Sequence, residues 1–179
     1  MYKSVIYVAF ALCFMLSVSY AYDCCVPPQW QGQAAGVIGD GHVQYKNVYY
    51  DSIGKRVRID IISESFNQTS YTFFQGNGTG KEWVVDSVQG CYITGPDYWN
   101  DQCFGESYGL PYIGKQGNLQ HFGNSQNGIS VSTDENCLPV LFNYVYSYMQ
   151  FTYYNTLNYI VSDSVFDIPS DCPSWPSNN

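Results

Sequence analysis

Alternating apolar and polar side chains are the main pattern along this chain. Val57, Ile59 and Ile61 alternate with charged residues, which is the period of a β-strand with one buried face. A run rich in valine and tyrosine, 43–50, precedes them, and the connection between the two ends in Gly54, which can adopt positive φ. The two runs therefore predict a β-hairpin.

Further strands are predicted by the same reasoning. The glycine-rich segment 76–80 lies between runs at 71–75 and 82–88, which indicates a second hairpin. Residues 129–131 continue the strand pattern. The long run 140–154 is dominated by Tyr, Phe and Val, which favour strands. One face of that run would carry Val140, Phe142, Tyr144, Tyr146 and Tyr148, and the other Leu141, Val145, Met149, Phe151 and Tyr153. We expect one face to meet another sheet or a ligand and the other to meet a partner subunit.

The sequence predicts little helix and two irregular segments. No segment combines a capping signal with sustained apolar spacing of three and four, so helix should be scarce. Residues 95–118 contain Pro96, Pro111 and several glycines, and the tail follows Pro169; both predict irregular loop.

The N-terminus has the pattern of a secretory leader. Lys3 precedes an apolar run at 5–18, and Ser19-Tyr20-Ala21 supplies the small residues of a cleavage site. We predict a signal peptide at 1–21 and a single mature domain at 22–179. The richest later apolar stretch, 138–160, carries several Asn and Gln residues, so no membrane-spanning segment is expected. The protein is expected to be secreted and soluble.

Net charge and cysteine content exclude some classes of function. Seven basic and fifteen acidic residues give a net charge of −8 at pH 7, and such an acidic chain would repel nucleic acid. Six cysteines follow the leader, which suggests three disulfides with many possible connectivities. Neighbouring Cys24 and Cys25 would strain the peptide between them if they bridged each other, so each should reach a distant partner. Zinc is disfavoured because only His42 and His121 follow the leader.

Other residues are candidates for glycosylation, catalysis or ion binding. Asn67 and Asn77 each begin a glycosylation sequon. Neither histidine is accompanied by a nucleophile or metallohydrolase motif, so we do not expect an enzyme. A basic cluster, Lys55, Arg56 and Arg58, reads as a solvated strand edge, with anionic lipid or sulfated glycan contact as the alternative. Loop carboxylates could supply calcium ligands, although no calcium-loop spacing is present; they are Asp97, Asp101, Glu106, Asp134 and Glu135.

Five motifs in order resemble the ependymin-related family of extracellular glycoproteins, over residues 24–172. They are Cys24-Cys25-Val26-Pro27-Pro28-Gln29-Trp30; Tyr50-Asp51-Ser52-Ile53-Gly54-Lys55-Arg56-Val57-Arg58-Ile59; Gly80-Lys81-Glu82-Trp83-Val84-Val85-Asp86 followed by Cys91; Asn136-Cys137-Leu138-Pro139-Val140; and Ser164-Val165-Phe166-Asp167-Ile168-Pro169-Ser170-Asp171-Cys172. The order and spacing of these motifs carry the resemblance more than any one of them does.

The resemblance implies an all-β fold of two stacked, curved antiparallel sheets that enclose a hydrophobic pocket, like bacterial lipoprotein-carrier folds. It also implies a glycosylated homodimer, with calcium binding in some members. Carried over by position, it pairs Cys24 with Cys137 and Cys91 with Cys172, which leaves Cys25 and Cys103 for each other. The family's additional cysteine before the central strand, and its partner near the C-terminus, are absent from this sequence.

We therefore expect a secreted, disulfide-linked glycoprotein that binds a hydrophobic ligand, a fatty acid or another lipid, between two sheets. No cofactor is required, and calcium is the candidate ion. The alternative is an acidic, calcium-dependent matrix or cell-adhesion glycoprotein without a functional pocket. A lysosomal destination is an alternative to the extracellular fluid. The residues that would line the pocket do not follow from the sequence, because a shift of one residue in register exchanges the two faces of a strand.

Overall fold

A computed structural model of the chain describes residues 22–39 and 41–174. The leader predicted at 1–21 lies outside these ranges. The described residues contain strands and short 3-10 turns but no α-helix, so the all-β class is confirmed. The strands are β1 (Cys24–Cys25), β2 (Gln29–Ile38), β3 (His42–Asp51), β4 (Arg56–Ser63), β5 (Asn67–Phe74), β6 (Thr79–Asp86), β7 (Gly90–Tyr98), β8 (Cys103–Phe104), β9 (Tyr112–Gln116), β10 (Leu119–Asn124), β11 (Ile129–Thr133), β12 (Pro139–Tyr144) and β13 (Met149–Leu157).

Two antiparallel sheets of very unequal size are present in this part of the chain. The main sheet has the strand order β7-β6-β5-β4-β3-β2-β13-β12-β11-β10-β9, and β1 pairs with β8 in a separate two-stranded sheet. Most neighbours in the main sheet are also neighbours in sequence. The exception is β2 with β13, which joins the two halves of the chain. Both predicted hairpins are confirmed, as β3–β4 and β5–β6.

The expectation of a single strand over 140–154 is wrong. Strand β12 ends at Tyr144, a 3-10 turn occupies Val145–Ser147, and β13 returns from Met149. Tyr148 closes the turn with φ of 49°, in the left-handed region. The turn contains no Gly, Pro or Asn, so no local turn signal predicts it. As a result Phe142 and Phe151, expected on opposite faces, are directly paired and share one face.

The expectation of irregular loop over 95–118 is also wrong in part. This segment contains the end of β7, the short β8, and β9. Both β7 and β9 are edge strands of the main sheet. A proline such as Pro96 is tolerated at an edge, because its missing N–H removes no hydrogen bond from a central ladder.

One face of the main sheet is covered at one end by two segments that include β1 and β8. We call residues 22–28 and 99–110 the ribbon, and the sheet face beneath them the ribbon face. The backbone N–H of Val26 donates to the carbonyl oxygen of Gln102 at 3.0 Å, and Trp30 Nε1 donates to the Gln102 side chain at 3.1 Å. The buried cluster beneath comprises Val26, Trp30, Val48, Tyr50 and Leu138.

The opposite face is crossed by the C-terminal segment, residues 160–174, which we call the strap. Arg58 donates to the carbonyl oxygen of Val165 at 2.7 Å, and Trp83 Nε1 donates to that of Pro173 at 2.8 Å. Phe166 in the strap is 3% exposed. Both faces of β4 are therefore covered in part, whereas the alternation of its residues indicated one buried face.

Three disulfides fix these layers. Cys24 is bonded to Cys137, Cys25 to Cys103, and Cys91 to Cys172. The first and third are the pairs that the family resemblance implies, and the second is the pair that those two leave over. Cys24–Cys137 attaches the ribbon to the connection between β11 and β12. Cys25–Cys103 joins the two segments of the ribbon, and Cys91–Cys172 attaches the strap to edge strand β7.

Candidate ligand-binding face

A row of large apolar side chains crosses five strands on the ribbon face. Directly opposed residues of antiparallel strands lie on the same face, and the register pairs each member of the row with the next. From β13 to β9 the row is Phe151, Phe142, Val131, Phe122 and Tyr112. We call these five residues the apolar row. It is a continuous line of hydrophobic side chains perpendicular to the strands. Phe151, Val131 and Phe122 in it are at most 3% exposed, whereas Phe142 is half-buried and Tyr112 is 40% exposed.

Small residues on β2 make room for this row. Gly32, Ala34 and Gly36 occupy the ribbon face of β2, and Gly36 is opposite Phe151. A Cβ atom at Gly36 would lie 2.0 Å from the carbonyl oxygen of Gln150 and 2.5 Å from Cδ1 of Phe151. The close approach of β13 therefore requires glycine at position 36.

Lys46 is the cationic side chain beside the row. It lies on β3 opposite Ala34 and Ile61, so it projects from the ribbon face. Its Nζ lies 3.8 Å from the centroid of the Phe151 ring, a cation–π contact. Burial lowers the pKa of this ammonium. Within residues 22–39 and 41–174, no carboxylate lies within ion-pair distance of it.

A second polar group stands next to Lys46 on the same strand face. Gln44 is 6% exposed and lies opposite Gly36 and Ser63. Its side-chain amide has no hydrogen-bond partner among the described residues. It borders a cavity of about 200 Å³ that Ile38 and Phe66 also line. Lys46 and Gln44 are thus neighbouring polar groups on the ribbon face, although Ser63 and Glu64, and not Lys46, line the cavity beside Gln44.

A separate groove of about 510 Å³ lies at the β9–β11 end of the sheet. Gly123 and Ser130 contribute to its lining, beside exposed Ile113, Val145 and Tyr146. A Cβ atom at Gly123 would meet Ile113 Cδ1 at 2.8 Å, so Ile113 lies on the face opposite the ribbon. The groove is therefore distinct from the apolar row.

Both sequon asparagines are exposed. Asn67 begins β5, and Asn77 lies in the turn between β5 and β6. The Asn77 side-chain oxygen accepts hydrogen bonds from the backbone N–H of Thr79 at 3.1 Å and from its hydroxyl at 2.7 Å. Both positions thus have the surface location that a glycan needs.

The other candidate residues from the sequence are dispersed. Within the described ranges, no three His, Cys, Asp or Glu side chains are arranged to hold a metal ion. Asp134 instead accepts the backbone N–H groups of Asn136 and Leu138, both at 2.9 Å, and orders the β11–β12 turn. His42 is exposed, whereas His121 contacts the Ser132 hydroxyl at 2.8 Å through Nδ1.

The reading of the basic cluster as a solvated strand edge is wrong for two of its three members. Arg56 pairs with Asp51 at 2.8 Å and also with Asp163, and Arg58 pairs with Asp60 at 2.8 Å. Both side chains lie on the face opposite the ribbon, where the strap crosses, and are 21% and 22% exposed. They hold the strap in place, whereas Lys55 remains exposed over the Trp99 ring.

Sequence reasoning missed Lys46, Gln44 and the apolar row. In β3 the more apolar alternate positions are Val43 and Tyr45, which are 44% and 50% exposed. Pattern alone would therefore have placed Lys46 on the solvent side. Only the register with β2 and β4 assigns it to the ribbon face.

No helix in the described ranges is long and apolar enough to cross a membrane. No protein-family model matches the chain, and a search of curated proteins found no match.

Proposed function

We propose that this chain is a secreted, disulfide-linked glycoprotein, similar to ependymin-related proteins, that binds a fatty acid or another lipid against the ribbon face. The observation that supports this most is the apolar row, with Lys46 and Gln44 as the polar groups beside it. Ligand sites of this kind are mostly apolar and contain a few polar groups that orient the ligand.

Contacts of the ribbon support a pocket rather than a flat surface. Gln102 bonds to Trp30 on β2, and Phe104, two residues later, packs on Phe122 of β10 with ring centroids 5.8 Å apart. In a flat sheet, β2 and β10 would be separated by four strand spacings, about 19 Å. The backbone of two extended residues spans only about 7 Å, and the side chains that make the contacts cover part of the remaining distance. A main sheet curved around the ribbon face accounts for both contacts.

Binding would be driven by removal of apolar area from water, which contributes about 25 cal/mol per Å². The half-buried side chains Phe142, Tyr144 and Ile61 on this face would contact an acyl chain. Burial raises the pKa of Tyr153, which lies on the same face. Its neutral hydroxyl could then donate or accept a hydrogen bond at any physiological pH.

Mass spectrometry of an organic extract tests the proposal directly. The mature protein would be purified from a secretory host beside an equally treated secreted protein of similar charge. We expect a stoichiometric lipid that is found only with this protein. An empty extract, repeated after a lipid mixture is offered, would contradict lipid binding and favour the calcium-dependent matrix alternative.

Adjacent isoleucines on β4 provide a matched pair of variants. Ile61 faces the ribbon side and is half-buried, whereas Ile62 faces the opposite side and is 45% exposed. We expect Ile61→Glu to weaken lipid uptake at least about tenfold and Ile62→Glu to leave it unchanged. Equal loss in both variants, with unfolding midpoints preserved, would place the ligand elsewhere.

The homodimer is also part of the proposal. Val37, Val43, Tyr45 and Ile62 form an exposed apolar patch on the face opposite the ribbon, each 40–50% exposed. Such a patch is typical of an interaction surface. We expect light scattering to give a dimer mass for the mature protein and a monomer mass for Ile62→Glu.

A further inference from the structure

We infer that the ligand is a monoanionic amphiphile whose carboxylate is bound by Lys46 and Gln44. This inference rests on the proposed function, because it places the head group of the ligand on the same face as the apolar row. It specifies the chemical class of the ligand and the two residues that select it.

The electrostatic argument begins with Lys46. A half-buried ammonium on an apolar face loses much of its hydration, and this loss is normally compensated by a nearby anion. Among residues 22–39 and 41–174, Lys46 contacts the Phe151 ring and no carboxylate. The five other basic side chains of the described residues are Lys55, Arg56, Arg58, Lys81 and Lys115. The first three of these each have a carboxylate within 4.0 Å. An anionic ligand would supply the missing counter-charge at Lys46.

Gln44 would make a second contact with the carboxylate and so fix the orientation of the ligand. It is two residues from Lys46 on one strand, so their side chains project from the same face about 7 Å apart along the strand. The amide N–H₂ of Gln44 can donate to one carboxylate oxygen while the Lys46 ammonium donates to the other. The acyl chain would then contact the half-buried side chains Ile61 and Phe142, which lie on the same face.

Charge limits the head group to a single negative charge. One ammonium neutralises one carboxylate, and a dianionic phosphate would keep an unpaired charge in apolar surroundings. The chain itself carries a net charge of −8, which disfavours more highly charged anions. A fatty acid therefore fits this site better than a phospholipid head group does.

A competition assay with laurate and its methyl ester tests the inference. Both would displace a neutral probe, N-phenyl-1-naphthylamine, from the mature protein at pH 8. The acid and the ester share one chain, so their affinity ratio reports the head group alone. We expect laurate to bind at least about tenfold more tightly, the effect of one charge-assisted hydrogen bond.

Three variants then locate the effect. Lys46→Met should abolish the preference for laurate while the ester still binds, which also shows that the site remains folded. Lys46→Arg should retain the preference. Lys115→Met, which removes an exposed lysine from edge strand β9, should behave as wild type.

The outcomes separate the two proposals. Failure of both compounds to bind wild type would overturn lipid binding itself. Equal affinity for acid and ester, or a preference that persists in Lys46→Met, would overturn the head-group assignment and leave lipid binding intact. Tighter binding of lauryl phosphate than of laurate would overturn the restriction to one charge.

Discussion

Arg58 is one of two arginines on β4 that connect the main sheet to the strap. It donates to Asp60 at 2.8 Å and to the carbonyl oxygen of Val165 at 2.7 Å, and its guanidinium lies between the rings of Tyr49 and Tyr71. Replacing it with Leu leaves the mostly buried Asp60 carboxylate without its cation. We expect the free energy of unfolding to fall by about 2 to 3 kcal/mol, measured by urea unfolding with disulfides intact.

The double variant R58L/D60L is the control for that prediction. It removes both charges, so the penalty of an unpaired buried carboxylate disappears and most of the lost stability should return. Additive loss in the double variant would show that packing of Arg58, rather than its charge, is what stabilises this region.

The lowered pKa of Asp51 predicts how the stability of the protein depends on pH. Burial opposes its ionisation, but hydrogen bonds from the Gly54 N–H, Arg56 and Gln29 outweigh burial and hold its pKa below the usual value. A carboxylate whose pKa is lower in the folded than in the unfolded protein stabilises the fold at pH values above its unfolded pKa. For Asp that unfolded pKa is about 3.9. This stabilisation is lost as the pH falls through the lower folded pKa.

We therefore expect thermal unfolding midpoints to fall steeply below about pH 4 in wild type. Asp51→Asn should be less stable at pH 7 and show a flatter acid dependence. Glu64→Gln, which changes an exposed carboxylate, should retain the wild-type profile. A wild-type slope in Asp51→Asn would assign the acid sensitivity to other carboxylates.

At the scale of elements, the pairing of β2 with β13 depends on Gly36. A methyl group there would lie 2.0 Å from a backbone oxygen of β13, which cannot move without breaking the ladder. We expect Gly36→Ala to cost about 3 kcal/mol or more. Gly95→Ala on edge strand β7, where a Cβ meets nothing within 4 Å, should change stability by less than about 0.5 kcal/mol. Similar costs for both would refute close approach as the reason for glycine.

Two of the hairpins could be predicted from the sequence, and one could not. Hairpins β3–β4 and β5–β6 were predictable because period-two alternation surrounds connections with Gly54 or with Gly76, Gly78 and Gly80. The β12–β13 hairpin was not, because a tyrosine adopts positive φ at its turn and aromatic residues continue on both sides. Here packing between the paired strands overrides the local turn preference. A single sequence shows only the local preference, so it does not predict this turn.

The candidate site was less accessible from sequence than the hairpins were. The apolar row draws on five strands from both sides of the β12–β13 turn, so an error at that turn places Phe142 and Phe151 on opposite faces. Lys46 depends in the same way on the register of β3. Face assignment requires long-range pairing, such as β2 with β13, that periodicity cannot supply.

At the scale of the whole molecule, the Cys91–Cys172 disulfide anchors the end of the strap. Phe166 of the strap is buried, and the Arg56 guanidinium lies over its ring. Replacing both cysteines with serine should lower stability by about 2 to 4 kcal/mol. The pair Cys25–Cys103 closes a loop of nearly equal length, with sequence separations of 78 and 81 residues, so its removal should cost about the same. The two variants are therefore matched in global stability and differ in which layer they release.

Limited chymotrypsin digestion distinguishes the layers. Cleavage after Phe166 requires that this ring, 3% exposed in the fold, leave the sheet. We expect C91S/C172S to be cleaved there at least about tenfold faster than C25S/C103S, because local opening of the strap no longer needs the rest of the sheet to unfold. Equal cleavage rates would mean that the strap opens only when the whole molecule unfolds, so that Arg56 and Arg58 hold it without the disulfide.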